Sequence, residues 1–306
     1  MIKTVAVVGA GALGLYYGGR MVLAGYDVAY LARSDREILR TDGIALDWAG
    51  ETRRLRPSRV AGEPGEIGPV DLVVVALKAT ANGELSRLLP PLLGPGTLVV
   101  NLQNGLGVDE AVAAVAGAER TVGCLCFVGV NRTAPGRAIC LTEGYVELGA
   151  FAGPSAGRAE AVAEVFTLAG VRAKVAASLS AVRWRKLVWN VPFNGLTVTE
   201  GGLTSDEVLR DPVREARVRA LMREVQATAR AEGVEIEDAF LEQNVRITRD
   251  MAYRPSTLLD FLDGRPLELD PIWGEPLRRA RRLGVPVPEL ARLHAQLTAK
   301  AAPARG

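Results

Sequence analysis

Residues 184–194 read W-R-K-L-V-W-N-V-P-F-N, which sets Lys186, Asn190 and Asn194 four residues apart. On a helix that spacing stacks the three side chains along one side, among apolar neighbours. Lysine is scarce in this chain: it stands only at positions 3, 78, 174, 186 and 300, within a total of 37 lysines and arginines. Arginine keeps its proton in a protein, whereas a desolvated lysine gives one up near neutral pH and so serves as an acid or base. The plainer reading of a lysine between two tryptophans is a side chain snorkelling from a helix flank, with no chemistry. On these residues alone both readings stand.

A second set of residues lies at the ends of apolar, β-branched runs. Residues 4–8 are too few for a helix and suit a buried parallel strand. Gly9, Ala10, Gly11, Ala12, Leu13 and Gly14 follow, and 15–24 read as a helix. Strand, glycine turn and helix in that order form the dinucleotide fingerprint, with one glycine for the tight turn, one for close approach of pyrophosphate and one for helix packing. The phosphates then lie at the helix N-terminus. The next strand, 27–31, runs into Ala32, Arg33 and Ser34. An NAD-binding strand ends in Asp or Glu for the ribose 2′-hydroxyl; Arg33 suits a 2′-phosphate instead, so the expected cofactor is NADP(H). The run 71–77 ends in Lys78, and 97–102 leads into Gln103, Asn104 and Gly105. Ligands of open parallel sheets bind beyond the strands' carboxyl ends, so one crevice is expected to collect residues 9–14, Arg33, Lys78 and Asn104.

The 306 residues suffice for two domains, and 48% hydrophobic with 24% charged is the composition of a soluble globular protein. A net charge of +2 gives no reason to expect nucleic acid or a membrane surface as a partner. Arg278, Arg279, Arg281 and Arg282 cluster, but their spacing decorates more than one side of a helix and reads as a solvated face. No apolar run approaches the roughly 20 residues of a membrane span. The start enters strand-like sequence without a basic-then-apolar leader, so a cytoplasmic location is expected. Cys124, Cys126 and Cys140 form no C-x-x-C and suit a reduced core. The single histidine, His294, reads as a helix-surface residue. That count removes histidine zinc sites, Ser-His-Asp triads and histidine acid/base dehydrogenases, and no metal is expected.

Around these residues the chain alternates strands and helices in its first half and is helical in its second. Residues 43–47 and 52–60 read as short strands or a hairpin. The sheet continues through 122–130, 138–141 and 145–148, with turns at Pro135-Gly136 and Glu143-Gly144. A helix at 158–169 and a strand at 171–175 close this half, with a boundary near Ala177. The expected division is a Rossmann-type NADP-binding domain, 1–177, and an all-helical substrate and catalytic domain, 178–306. Pro192 should kink or end the helix that carries Lys186. A long amphipathic helix is expected over 212–232, capped by Asp211 and closed by Gly233, and another over 238–251. Residues 255–270 are less regular, with Ser256, an Asp263-Gly264 turn and Glu268 between two leucines. Glu268 reads equally as an exposed edge residue and as a site residue. Helices at 272–283 and 289–300 complete the chain, and their apolar stripes leave monomer and homodimer both open.

Taken together, G-A-G-A-L-G, L-K-A at 77–79, Q-N-G at 103–105, W-R-K-L-V-W-N-V-P-F-N, P-S-T-L-L-D and G-R-P-L-E-L-D resemble the ketopantoate reductases (2-dehydropantoate 2-reductases), nearly end to end. The resemblance implies an N-terminal α/β Rossmann-type doubly wound sheet followed by an all-α C-terminal domain, the 6-phosphogluconate-dehydrogenase-like architecture. It implies NADPH-dependent reduction of ketopantoate, a 2-oxo acid, in pantothenate and coenzyme A biosynthesis. Within it Lys186 is the general acid, Asn190, Asn194 and Ser256 hold the substrate, and Asn104 lies near both nicotinamide and substrate. Arg33 and Lys78 fall at the cofactor phosphate, and Glu268 near the substrate or the nicotinamide ribose. The chain departs from the pattern at Ala81, where many relatives have Gln, at Tyr253, where they often have Asn, near Thr204, where some carry another substrate asparagine, and in S-T-L-L-D at 256–260, where they often have S-M-x-Q-D. Those departures keep two alternatives in view: an NADP-dependent reductase of another 2-oxo acid, and a non-catalytic NADP(H)-sensing protein.

Overall fold

The computed structural model describes residues 1–153 and 157–301; residues 154–156, within the expected first domain, and 302–306, at the end of the second, lie outside the described residues. The chain forms two compact units, of which the first comprises Met1–Gln103 and Val108–Leu179. It opens with β1 (Thr4–Val8), α1 (Ala12–Leu23), β2 (Asp27–Leu31) and α2 (Arg36–Thr41). β3 (Ile44–Trp48) and β4 (Glu51–Leu55) form an antiparallel hairpin, and β5 (Arg59–Ala61) leaves it to pair parallel with β2. β6 (Val70–Val75), α3 (Leu85–Leu88), β7 (Leu93–Asn101) and α4 (Val108–Ala116) lead to a long antiparallel pair, β8 (Thr121–Ala134) and β9 (Arg137–Ala150). α5 (Arg158–Leu168) and β10 (Arg172–Val175) close the unit.

One sheet holds all ten strands in the order β4-β3-β9-β8-β7-β6-β1-β2-β5, with β10 beside β9. Parallel pairing joins β2, β1, β6 and β7. Both faces of its centre are covered, since Val5 to Val8 in β1 and Leu72 to Val75 in β6 expose nothing. That is why these strands read as unbroken apolar runs rather than as alternating ones.

The sheet differs from the sequence reading in two respects: residues 52–60 divide into β4 and β5, which pair with different strands, and the turn expected at 143–144 is absent. Glu143-Gly144 is no turn: β9 continues through it. A Cβ on Gly144 would lie on the carbonyl oxygen of Phe127, 1.6 Å away, beside a register shift between Phe127 and Gly129. The glycine admits a close approach of two backbones where the ladder slips, a role glycine plays inside strands as well as in turns.

The second unit comprises Asn104–Gly107 and the described residues from Ser180 onward. Asn104 therefore belongs with the helices and not with β7, which it follows in sequence. α6 (Leu179–Thr199) passes through Pro192 without ending. α7 (Ser205–Leu209), α8 (Pro212–Ala231), α9 (Asp238–Thr248) and α10 (Ser256–Leu262) follow. Asp211 caps α8 as its side chain accepts from the N–H groups of Val213 and Arg214, and Gly233 just beyond the helix has φ +81°. α11 (Glu275–Arg282) and α12 (Pro288–Ala301) complete the unit. Its core is centred on Trp184, Phe193 and Trp273, all fully buried.

In place of an uninterrupted helix over 272–283, Asp270–Gly274 forms a π turn ahead of α11. The N–H of Glu275 reaches back five residues to the carbonyl of Asp270; α-helical geometry would send it to Pro271. The Pro271 oxygen instead accepts from the N–H of Leu106 at 2.9 Å. Gly105, at φ +91°, fits against it, since a Cβ there would stand 2.3 Å from that oxygen. These contacts bind 104–107 to the helical core.

The arginine cluster is not wholly a solvated face. Arg278 pairs with Asp270 and Glu275, Arg282 with Glu232, and Arg279, only 14% exposed in its side chain, with Glu232 and Glu275. His294 is half-buried on α12, and burial lowers its pKa. The three cysteines are free thiols, Cys124 and Cys126 buried and Cys140 partly so. Among the described residues no helix is long and apolar enough to cross a membrane.

Candidate functional site

In the first unit the turn between β1 and α1 separates its three glycines by cause. Gly9 has φ +107°, and a Cβ there would lie 3.0 Å from the N of Leu77. A Cβ on Gly14 would stand 2.0 Å from the carbonyl oxygen of Gly9. The fold itself demands these two. Gly11, the N-cap of α1, has only the Ala76 oxygen within reach, at 3.8 Å, so nothing among the described residues requires it to lack a side chain. The first N–H groups of the twelve-residue α1 have no intrahelical partner, and its first turn carries no acidic residue. An open glycine at such an end fits a pyrophosphate resting on the backbone. Behind the turn, the fully buried Tyr30 donates to the Gly14 carbonyl at 2.7 Å, and burial drives its hydroxyl pKa up.

After β2, Arg33 is exposed, and no described residue hydrogen-bonds or pairs with its guanidinium. Two residues on, Asp35 is buried and bound by Arg132 of β8, a feature the sequence reading missed. Lys78 is exposed at the start of a short 3₁₀ turn, Ala79–Glu84. Gln103, buried at the end of β7, donates to the Leu77 carbonyl at 3.0 Å and to Asn82 Oδ1 at 2.6 Å, tying the Lys78 segment to β7. Ala81, one of the departures, sits in the same 3₁₀ turn, its N–H bonded to the Lys78 carbonyl.

In the second unit Lys186, Asn190 and Asn194 all lie on α6 as the spacing predicts. Lys186 is half-buried, and its ammonium donates to Asn104 Oδ1 at 2.7 Å. Asn104 is placed for this by the anchor of 104–107 on Pro271. Asn190 and Asn194 are buried, with 6% and 4% exposure. Asn194 donates to Thr257 Oγ1 at 3.3 Å, while its own Oδ1 is buried without a partner among the described residues. An orphaned buried amide oxygen costs about 1–3 kcal/mol, so it calls for a reason. Thr257 draws the start of α10, and with it the exposed Ser256, towards Asn194. Thr257 lies in the P-S-T-L-L-D stretch, but the sequence reading gave it no role of its own.

The tryptophans flanking Lys186 are structural. Trp184 donates to Glu232 at 3.1 Å and Trp189 to Thr248 at 3.0 Å. Tyr253, the second departure, packs with its ring centroid 6.1 Å from that of Trp189, and burial raises its pKa. Thr204, the third, caps α7 in a capping box with Glu207, which accounts for a threonine there. Glu268 is half-buried in the irregular stretch just ahead of the π turn. Arg33, Lys78 and residues 9–14 thus belong to the first unit, and Asn104, Lys186, Asn190, Asn194, Ser256 and Glu268 to the second.

A Rossmann-like mixed sheet followed by a helical unit that sets a lysine among amides defines a class of two-unit oxidoreductases. Residues 5–153 match the model of the family described as ketopantoate reductase PanE/ApbA, and 178–301 match that of its C-terminal part. A 2-dehydropantoate 2-reductase of Nostoc sp. is 36% identical over 298 residues, 95% of this chain and 93% of the relative. The crystal structure of a 2-dehydropantoate 2-reductase from Geobacter metallireducens superimposes with a TM-score of 0.93 at 39% identity, covering 97% of this chain and 99% of that one. One from Methylococcus capsulatus gives 0.90 at 31% identity, covering 99% of both chains. The chain belongs to the ketopantoate reductase family. A D-mandelate dehydrogenase solved with NADH and anilino(oxo)acetate, 20% identical with a TM-score of 0.90 over 98% of both chains, shares the fold.

Proposed function

We propose that the protein reduces 2-dehydropantoate to pantoate with NADPH, a step towards pantothenate. The observation that carries the reading is the Lys186 ammonium, oriented at 2.7 Å by Asn104, on one helix with two buried asparagines. In this reading residues 9–14, Arg33 and Lys78 hold the cofactor, which when bound supplies a hydride for the ketone carbon. Asn190, Asn194 and Ser256 hold the substrate, with the free Asn194 Oδ1 accepting from a substrate hydroxyl. Asn104 orients Lys186, and Glu268 lies at the substrate or the nicotinamide ribose.

Hydride addition puts negative charge on the carbonyl oxygen. A fixed cationic donor stabilises that charge more in the transition state than in the ground state, and Lys186 then delivers its proton to the oxygen. General acid catalysis of this kind contributes roughly 10²–10⁴-fold. NADPH consumption with 2-dehydropantoate, 2-oxoisovalerate and pyruvate tests the substrate, and kcat/KM is expected to be at least about tenfold higher for the first. A higher value for another 2-oxo acid would support the alternative that Tyr253 motivates. Lys186→Ala is expected to lower kcat at least about tenfold and leave NADPH affinity intact; unchanged turnover would remove Lys186 from its role.

A further inference from the structure

The loop after β2 holds two charges of opposite sign, and the structure treats them oppositely. Arg33 is exposed and unpaired among the described residues. Asp35, two residues later, is 1% exposed, and its carboxylate is fully occupied. Oδ1 accepts from Arg132 Nη2 at 2.6 Å and from the Ser34 hydroxyl at 2.8 Å. Oδ2 accepts from Arg132 Nε at 3.2 Å and from the N–H of Gly136, in the β8–β9 turn, at 2.8 Å. A carboxylate has about four lone-pair sites, so none remains for a ribose hydroxyl. Burial alone would raise its pKa, but the bonds from Arg132, Gly136 and Ser34 outweigh that and hold it below the usual range, so the group is ionised.

An ionised acid at this place in a Rossmann-type fold has two effects when it is free. It accepts from a ribose 2′-hydroxyl, and it repels a 2′-phosphate. The bidentate guanidinium removes both at once, by filling the acceptor sites and cancelling the charge.

We propose that Arg132 sets cofactor choice from the neighbouring β8 strand: by sequestering the Asp35 carboxylate it leaves Arg33 unopposed to receive the 2′-phosphate of NADPH. Arg132 is a positioning residue, 97 positions from the acid it holds. Removing it releases a carboxylate beside Arg33 and turns the loop towards NADH. The inference rests on the NADP(H) reading above. A purely structural clasp between the β2 loop and β8 would weaken both cofactors alike.

The test is the ratio of dissociation constants for NADH over NADPH, and for 5′-ADP over 2′,5′-ADP, measured calorimetrically on the full chain without substrate. Arg33→Ala is the control for the underlying reading: if it leaves both ratios unchanged, the 2′-phosphate assignment itself fails. With that control behaving, Arg132→Gln is expected to lower both ratios at least tenfold. The double variant Asp35→Asn/Arg132→Gln, which removes the released charge, is expected to recover them to within about threefold of the native protein. A ratio within twofold of native in Arg132→Gln, or no recovery in the double variant, overturns the proposal. Should Arg132→Gln fail to fold, the near-isosteric Asp35→Asn decides: the native ratios are retained or rise, and a fall of more than threefold overturns the proposal.

Discussion

The β1–α1 turn of the first unit and the α6 face of the second meet the fold's demands in different ways. In the turn, Gly9 and Gly14 are dictated by neighbouring backbone, and Gly11 is not. On α6, Trp184 and Trp189 have their indole N–H groups bonded within the unit, whereas Asn194 keeps an oxygen with no partner among the described residues. On the proposed reading, the residue in each place that no described neighbour accounts for is the one a ligand would use. One is a missing side chain that makes room, the other a side chain whose bond is left unmade.

Substitutions at matched positions sharpen that contrast. Gly14→Ala forces a methyl onto the Gly9 carbonyl and is expected to destabilise by about 3 kcal/mol, read as a fall in the denaturant midpoint. Gly11→Ala, with open space, should change stability by no more than about 1 kcal/mol while weakening dinucleotide binding at least about tenfold. Equal losses of stability in the two variants would erase the distinction.

On α6, Asn194→Leu replaces the amide, with its unsatisfied buried oxygen and its long bond to Thr257, by an apolar side chain of the same branched shape. The expected outcome is a melting temperature unchanged or raised, together with a substrate KM increased about tenfold or more. A clear drop in melting temperature would make Asn194 a structural residue after all.

Asp71 supplies the opposite control, a polar residue near the start of β6 with one carboxylate oxygen bonded several times over within the fold. Its Oδ2 accepts from the N–H groups of Lys3 and Thr4 and from the Thr4 hydroxyl. The backbone bonds from Thr4 and Lys3 hold its pKa below the usual range. Because the folded pKa is depressed, this stabilisation is complete above the unfolded value of about 3.9 and is lost as pH falls through the folded one. Asp71→Asn should cost about 1 kcal/mol at pH 7, discounted for partial exposure, with no change in kinetics. Urea midpoints of the two proteins should converge as pH drops below about 4.

Much of this was readable beforehand because local signals agreed with the global fold. The runs of β1, β2 and β6 are apolar throughout since both faces are covered, and Asp211, Pro212 and Gly233 bracket α8 as capping chemistry requires. What was not readable depended on partners distant in sequence. Gly144 looks like a turn until the Phe127 carbonyl is seen against it. Asp35 looks like one more surface acid until Arg132 arrives from β8. Helix α1 begins at Ala12, earlier than the expected residue 15, because Gly14 serves inside the first turn and not ahead of it. Lys186 was legible by type and spacing, but its orientation was not, since that comes from Asn104, a residue the sequence attaches to the sheet.

The π turn at Asp270–Gly274 makes the length of this helix a matter of chemistry as well as of packing. A deletion of one residue within it would restore a regular α-helix, and by local hydrogen bonding alone the shorter helix would be the better one. The repaired helix would also recapture the Pro271 carbonyl for its own ladder. Leu106, only 6% exposed, would then lose the acceptor for its N–H, and Asn104 the anchor that holds it beside Lys186. An alignment that closed this apparent insertion as a gap would discard the residue that connects the two stretches.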